Sequence, residues 1–245
     1  MIRIDDAVEV ALKTLPPKPP DTAAPSAKKR YSELVSNVIA PAFAAELRMR
    51  GMKEARPAPP GLIGGSGAER RMAGAIGAKK VDVTWATEES GLLLAISVKS
   101  INFRDSRTGN FQKNLTNRRG DLLYEAVTLH RRFPYAVLGG FLFLDHGAAT
   151  DNTDQRRSTF VNANQRLRLF DGRNDPAGRD EQYERLYVVL LDANPFKPAW
   201  TVHRVGKSLS ASTLEAAFVD LIDLVAERNP DFYDSIDGEL KHVRS

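Results

Sequence analysis

The chain has 245 residues, of which 42% are hydrophobic and 27% are charged, and its formal net charge is +4. This composition is typical of a soluble globular protein with one domain or two small ones, and it excludes a fibrous or largely disordered chain. Because the sequence contains no cysteine, disulfides, zinc fingers and cysteine nucleophiles are excluded too. The longest apolar run, residues 135–144, has about half the length that crosses a bilayer. The N-terminus also lacks the apolar core of a secretory signal, so we expect a cytoplasmic protein without a membrane partner.

The N-terminal region is rich in proline. Nine of the fourteen prolines lie in the first 60 residues, mostly in two clusters at 16–20 and 56–60. Between the clusters, residues 31–50 repeat apolar side chains every three or four positions, which predicts an amphipathic helix that can kink at Pro41. The sequence therefore predicts a Pro-rich helical arm over residues 1–60, followed by an α/β domain over 61–245.

Two runs with strand periodicity follow a glycine-rich stretch. In residues 80–87 and again in residues 92–101, larger apolar side chains alternate with smaller or polar ones, and a polar turn separates the two runs. The pattern predicts an antiparallel hairpin. Asp82, Ser97 and Lys99 each lie on the less apolar face of their strand, so strand pairing can bring the three side chains together.

The rest of the chain alternates between predicted helices and strands. A polar, basic loop at 102–117 comes first. The predicted elements that follow are a helix at 118–132, a buried strand at 135–144, a helix at 158–170, strands at 186–191 and 200–205, and a helix at 213–227. This order is typical of an α/β fold with a mixed central sheet flanked by helices.

The polar residues of the hairpin point to phosphodiester chemistry. Carboxylate oxygens hold Mg²⁺, which can polarise a phosphate and supply a water nucleophile, and a lysine beside it can orient or deprotonate that water and offset developing charge. Asp82 and Lys99 provide two of these parts, and a second carboxylate must come from elsewhere. The structural alternative is that the two residues form a satisfied ion pair at the end of the sheet.

The same residues resemble the motif of the PD-(D/E)XK nucleases. Asp82 stands in the place of the motif's first Asp, and Ser97-Val98-Lys99 in the place of its acid-x-Lys, with Val81 where the motif has proline. Ser97 replaces the motif's second acid. The chain is similar in this respect to a branch of type II restriction endonucleases that carries S-x-K and draws the missing Glu from the next helix. The resemblance covers residues 68–144, and the loop after Lys99 is about a dozen residues longer than in that branch.

The resemblance implies a restriction-endonuclease-like core and a set of site residues. Asp82, Ser97, Lys99 and Glu125 would be the catalytic residues, with Asp82 and Glu125 as ligands of Mg²⁺ or Mn²⁺. Glu125 lies seven residues after Arg118 on the predicted helix. The alternative interpretation is that the Glu125 side chain is solvated and pairs with an arginine. Other candidate ligands are Asp121, one turn before Glu125, and the more N-terminal Glu69 and Glu46.

Positive charge is concentrated just after the hairpin. Residues 99–132 carry eight basic and three acidic side chains, and such an excess raises the affinity for phosphates. The loop at the start of this segment mixes arginine and lysine with asparagine and phenylalanine, side chains that can grip DNA, although a flexible solvated loop has a similar composition. The predicted DNA contacts are Arg104, Arg107, Lys113, Arg118 and Arg119.

Together these features predict a Mg²⁺-dependent endonuclease of the type II restriction class that acts on double-stranded DNA as a homodimer. The alternatives are a nonspecific repair or anti-phage nuclease, and a DNA-binding protein on the same fold without catalysis. A third is a phosphate-binding protein that uses Gly64 to Gly67. That segment lacks the lysine of a P-loop, so we expect no nucleotide cofactor.

Overall fold

A computed structural model describes residues 3–59, 70–73, 78–206 and 211–243. Its helices are α1 (Arg3–Lys13), α2 (Pro25–Met49), α3 (Leu115–His130), α4 (Thr159–Leu167) and α5 (Leu214–Arg228). Its strands are β1 (Arg70–Ala73), β2 (Ala78–Val81), β3 (Val83–Thr87), β4 (Gly91–Ile101), β5 (Val137–Asp145), β6 (Arg185–Asp192), β7 (Ala199–Arg204), β8 (Ala211–Ser212), β9 (Tyr233–Ile236) and β10 (Glu239–His242). None of the helices in these ranges is long and apolar enough to cross a membrane.

A six-stranded mixed sheet organises the chain. Its order is β3-β4-β5-β6-β7-β8; β4, β5 and β6 run parallel, and the other neighbours pair antiparallel. The strands β1 and β2, and likewise β9 and β10, form two small hairpins outside this sheet. The prediction of an α/β fold with a mixed central sheet is confirmed.

Helices cover both faces of the sheet and divide its core into two layers. Buried side chains of α1, α2 and α5 pack with Leu94, Ile96 and Val98 of β4. On the opposite face, α3 and α4 pack with Ala95 and Ile101 of the same strand. The two-residue period of β4 thus sends alternate side chains into different layers. The predicted flanking of the sheet by helices is confirmed as well.

Helix α2, in the N-terminal region, is part of the hydrophobic core that covers one face of the sheet. It begins at Pro25, six residues before the predicted start, because proline is tolerated in the first turn of a helix. The centre of its Phe43 ring lies 5.1 Å from the centre of the Phe141 ring in β5 and 5.0 Å from that of the Phe218 ring in α5. The packing therefore joins the predicted N-terminal arm to the main sheet, and α2 can help to shape any site at the end of β4.

Two other boundaries differ from the sequence prediction. The single strand expected over residues 80–87 is interrupted by a bend at Asp82, between β2 and β3. The helix expected at 118–132 begins at Leu115, because a short 3₁₀ turn over Gln112–Asn114 leads directly into it. The short α1 and the β9–β10 hairpin were not predicted as separate elements.

A buried ion cluster joins the far end of α3 to the sheet and to α5. Glu184 is fully buried; its carboxylate lies 3.1 Å from Arg173 Nη1, 2.7 Å from Arg228 Nη1 and 3.3 Å from His130 Nε2. It also accepts a hydrogen bond from the backbone N–H of Leu138. Burial alone would raise the pKa of Glu184, but His130 and the cationic neighbours outweigh it and lower the pKa.

Glu184→Gln should lower the free energy of unfolding by about 3–5 kcal/mol, because it leaves two buried arginines without their counter-charge. The pKa of Glu184 is lower in the folded than in the unfolded chain, so its contribution is present above the unfolded pKa and is lost as the pH falls through the folded value. The difference in the free energy of unfolding between the unmodified protein and Glu184→Gln, measured by urea unfolding, should therefore shrink as the pH falls. Glu181→Gln, at a surface ion pair with Arg179, is the matched control and should change stability by less than about 0.5 kcal/mol.

Candidate functional site

Asp82 sits at the bend between β2 and β3 and is held against β4. Its Oδ2 accepts a hydrogen bond of 2.7 Å from the backbone N–H of Val98 and one of 3.1 Å from Lys99 Nζ. The register of the hairpin explains the contact, since Val83 pairs with Ile96 and the residue before Val83 reaches the next positions of β4. The bend thus aims a carboxylate at the strand that carries the lysine.

Glu125 reaches the same lysine from α3. Buried Leu122, Ala126 and Leu129 define the face of α3 that packs on the sheet, and Glu125 lies on that face with only 2% of its side chain exposed. Its Oε2 is 3.6 Å from Lys99 Nζ. The structure therefore brings together three of the residues predicted from the sequence: Asp82, Lys99 and Glu125.

The charge of Lys99 is stabilised by this arrangement. Burial opposes the positive charge, since only 15% of the side chain is exposed, but the Glu125 and Asp82 carboxylates outweigh that effect and raise the pKa of Lys99 above its usual value. Arg118 is near enough to act in the opposite direction. Lys99 is therefore an ammonium ion at neutral pH and bridges the two carboxylates.

Ser97 lies deeper than the other predicted catalytic residues. It is buried, and its side chain lies within hydrogen-bonding reach of Tyr183. Ser97 pairs with Gly140 of β5, and a Cβ at Gly140 would clash with Leu186 Cδ2 and lie 3.3 Å from the ring of Tyr183. The glycine thus leaves room for Leu186 and for an aromatic ring close to Ser97.

Tyr183 is a neighbour of the site that the sequence analysis missed. Its side chain is buried, and burial, with a further contribution from the Glu125 carboxylate, raises its pKa well above the usual value. The phenol is therefore neutral. Tyr183 precedes β6 by two residues in a segment without a sequence motif, so only the packing over Gly140 identifies it.

The other candidate acids lie in different surroundings. Asp121, one turn before Glu125, is half exposed, pairs with Arg118 at 3.3 Å and borders the same open space as Asp82 and Lys99. Glu46 is buried in α2, where its carboxylate lies 2.6 Å from Arg50 Nε and 3.5 Å from Arg3 Nε. Glu69 lies outside the described residues. No cluster of three or more Asp, Glu or His side chains able to hold a metal is found among the described residues.

The two carboxylates beside Lys99, those of Asp82 and Glu125, are a donor set that fits Mg²⁺ or Mn²⁺. Mg²⁺ in proteins is commonly held by one or two carboxylates, with water and substrate phosphate completing its shell, and Asp82 and Glu125 supply that number. Because the Lys99 ammonium now bridges both carboxylates, coordination by the pair requires this ammonium to shift.

Asp82 and Lys99 line a cleft of about 970 Å³. One wall is the segment 102–118, from which the predicted DNA contacts Arg104, Lys113 and Arg118 face the cleft. Arg104 is stacked on the ring of Phe111 at 5.2 Å. Lys113 lies 2.5 Å from Asp105, and their hydrogen bond lowers the pKa of that carboxyl to about 2. Three of the five predicted contacts therefore share one open space with the lysine.

The remaining two predicted contacts lie outside the cleft lining. Arg119 lies over the ring of Phe170 at 6.0 Å, and Arg107 lies in an exposed turn in which its N–H bonds to Asp105. The other wall of the cleft is formed by α2, through six polar residues absent from the sequence prediction: Lys28, Lys29, Ser32, Glu33, Ser36 and Asn37. Their helical spacing was the signal that could have identified them.

No protein family matches this chain, and no curated protein or solved structure matches it either.

Mg²⁺ or Mn²⁺ should raise the thermal unfolding midpoint, because an ion that binds only the folded chain stabilises it by about 2.7 kcal/mol at a hundredfold excess over its dissociation constant. Asp82→Asn should remove most of this gain. Lys99→Ala should keep it, since the competing ammonium is gone and both carboxylates remain. Glu88→Gln, in the exposed turn of the same hairpin, is the control. An equal gain in Asp82→Asn and in the unmodified chain, each measured against EDTA, would rule out the proposed ligand.

Proposed function

We propose that this chain is a metal-dependent endonuclease that hydrolyses phosphodiester bonds of double-stranded DNA, on a restriction-endonuclease-like core. The observation that carries the proposal is the convergence of Asp82, Lys99 and Glu125 beside a basic cleft. Three separate elements, the bend after β2, strand β4 and helix α3, each contribute one of these residues. Two carboxylates and a lysine in one place are the parts that metal-assisted phosphodiester hydrolysis requires.

The order of elements around the site supports the proposed fold. The antiparallel pair of β3 and β4 is followed by α3 and then by β5, which runs parallel to β4. The acid of the hairpin, the lysine of its second strand and the Glu of the following helix thus have the chain order that the S-x-K branch of type II restriction endonucleases implies.

Each residue has a definite role in this proposal. Asp82 and Glu125 would hold Mg²⁺, which polarises the phosphate and activates a water molecule when bound. Lys99 is protonated, because its carboxylate neighbours raise its pKa. As an ammonium ion it would orient the water by a hydrogen bond and offset the negative charge developing on the phosphate.

The arginines and lysines of the 102–118 wall favour DNA as the partner that binds in the cleft. Arg104, Lys113 and Arg118 line the cleft and can neutralise backbone phosphates. Cleavage of both strands of a symmetric site is achieved most simply by two-fold related subunits. We accordingly propose a homodimer in the cytoplasm.

One observation favours a second candidate function. Ser97 stands where the resemblance implies an acid, and its buried side chain lies beside Tyr183 and does not line the cleft. With Glu125 largely buried behind Lys99, a DNA-binding protein that has lost catalysis would retain all of the basic wall. The two functions differ in whether bound DNA is cut.

Incubation of the purified protein with plasmid or phage DNA, in Mg²⁺ and in EDTA, separates the candidates. A type II restriction enzyme gives discrete fragments, a nonspecific nuclease gives a smear, and a DNA-binding protein gives only a mobility shift. Lys99→Ala and Asp82→Asn should each lower the cleavage rate by about 10²–10³-fold, whereas Lys53→Ala, at an exposed position outside the cleft, should not. Full activity in either site variant would disprove the assignment.

A comparison of Glu125→Gln with Asp121→Asn tests which carboxylate of α3 takes part. Glu125 contacts Lys99, while Asp121 is half exposed and paired with Arg118. We expect Glu125→Gln to reduce the cleavage rate by about 10²-fold or more and Asp121→Asn to retain most of it. The reverse pattern would move the ligand one turn along α3.

A further inference from the structure

Helix α2 presents a continuous polar face to the cleft. The residues that line it are spaced at helical intervals over three turns, and they comprise two lysines, two serines, one Glu and one Asn, namely Lys28, Lys29, Ser32, Glu33, Ser36 and Asn37. The apolar residues of the same turns, Tyr31, Val35 and Ile39, point into the core. The amphipathic pattern of α2 therefore separates a packed face from a face that borders the Asp82–Lys99 site.

The position of this face is held by hydrogen bonds to the end of β4. Asn102 Nδ2 donates to Ser32 Oγ at 3.2 Å and to Ser100 Oγ at 3.1 Å, and Ser100 Oγ lies 3.4 Å from the carbonyl oxygen of Ser32. Asn102 is buried. The polar face of α2 is thus fixed relative to the strand that carries Lys99.

The segment before α2 connects the two walls of the cleft. Asp21 Oδ1 accepts a hydrogen bond of 3.1 Å from the backbone N–H of Arg104, and the Asp21 carbonyl accepts one of 3.0 Å from Lys28 Nζ. Lys18 binds Asp145 at 2.6 Å and lies 5.2 Å from the centre of the Phe103 ring. The walls of the cleft are therefore joined at one end by the Pro-rich segment.

We propose that this face of α2 is a second DNA-contacting surface, opposite the 102–118 wall, and that it binds the backbone of the duplex whose phosphate lies at Lys99. The inference rests on the proposed nuclease function. Lys28 and Lys29 contact phosphates, and Ser36 and Asn37 donate hydrogen bonds to phosphate oxygens or base edges. The Pro-rich N-terminal region is thereby part of the DNA-binding surface.

Charge and exposure favour a polyanion at this face. Six basic and four acidic residues line the whole cleft, and one of the acids, Asp82, is a proposed metal ligand. Lys29 is 78% exposed and lies 3.8 Å from Glu33, and a surface pair of this kind contributes little energy. Its ammonium can therefore turn towards a phosphate at low cost. The absence of large apolar side chains from this face argues against a hydrophobic protein partner.

Lys29→Gln and Arg30→Gln form the matched pair that tests the inference. Both remove one positive charge from adjacent exposed positions of α2, but only Lys29 lines the cleft. Binding of a fluorescently labelled duplex is measured in Ca²⁺, at several salt concentrations. We expect Lys29→Gln to weaken binding about three- to tenfold and to reduce the slope of log affinity against log salt by about one. Arg30→Gln should change the affinity by less than about twofold.

The outcomes are distinguishable. Equal effects of the two substitutions would mean that α2 acts only through the overall electrostatic field of the protein. No effect of Lys29→Gln would mean that DNA does not reach α2. Either result overturns the inference while the nuclease function stands. A wild-type protein that neither binds nor cuts the duplex overturns the proposed function itself. The thermal midpoint of each variant is measured alongside to show that the helix is intact.

Discussion

The bridging of two carboxylates by Lys99 is the interaction on which the rest of this structure depends. An ammonium ion with little exposure to water is costly unless nearby negative charge compensates for it. Asp82 and Glu125 provide that charge from the bend after β2 and from α3. The ion triad therefore fixes how the hairpin, β4 and the crossing helix meet, and it keeps two acids close together in a chain that otherwise separates them by more than forty residues.

Helix α3 is held by polar contacts at two points. In its second half, Glu125 contacts Lys99, and at its last residue His130 lies beside the buried Glu184. Glu184 also binds Arg173 and Arg228, so the C-terminal end of α3 is tied to the start of β6 and to the end of α5. A helix fixed at two points presents its carboxylate with little freedom, which is the preorganisation that a metal or phosphate site needs.

The cleft depends on a contact between distant parts of the chain. Helix α2 packs through Phe43 on β5 and α5, while its opposite face borders the segment that follows β4. Asn102 and Asp21 bind these parts together by side-chain and backbone hydrogen bonds. The N-terminal region that the sequence predicts as a separate arm is thus one wall of the basic cleft that adjoins Lys99.

The sequence by itself determined the faces of the elements. The two-residue period of β4 placed Ser97 and Lys99 on one side of the strand, because local periodicity sets the direction of a side chain, whereas Glu125 became a candidate only through the resemblance to the nuclease motif. Only the tertiary structure decided which residues from other elements meet there. The pairing of Glu46 with Arg3, the position of Arg119 over the ring of Phe170 and the ring of Tyr183 beside Gly140 depend on contacts between segments far apart in the chain, and no local period encodes such contacts.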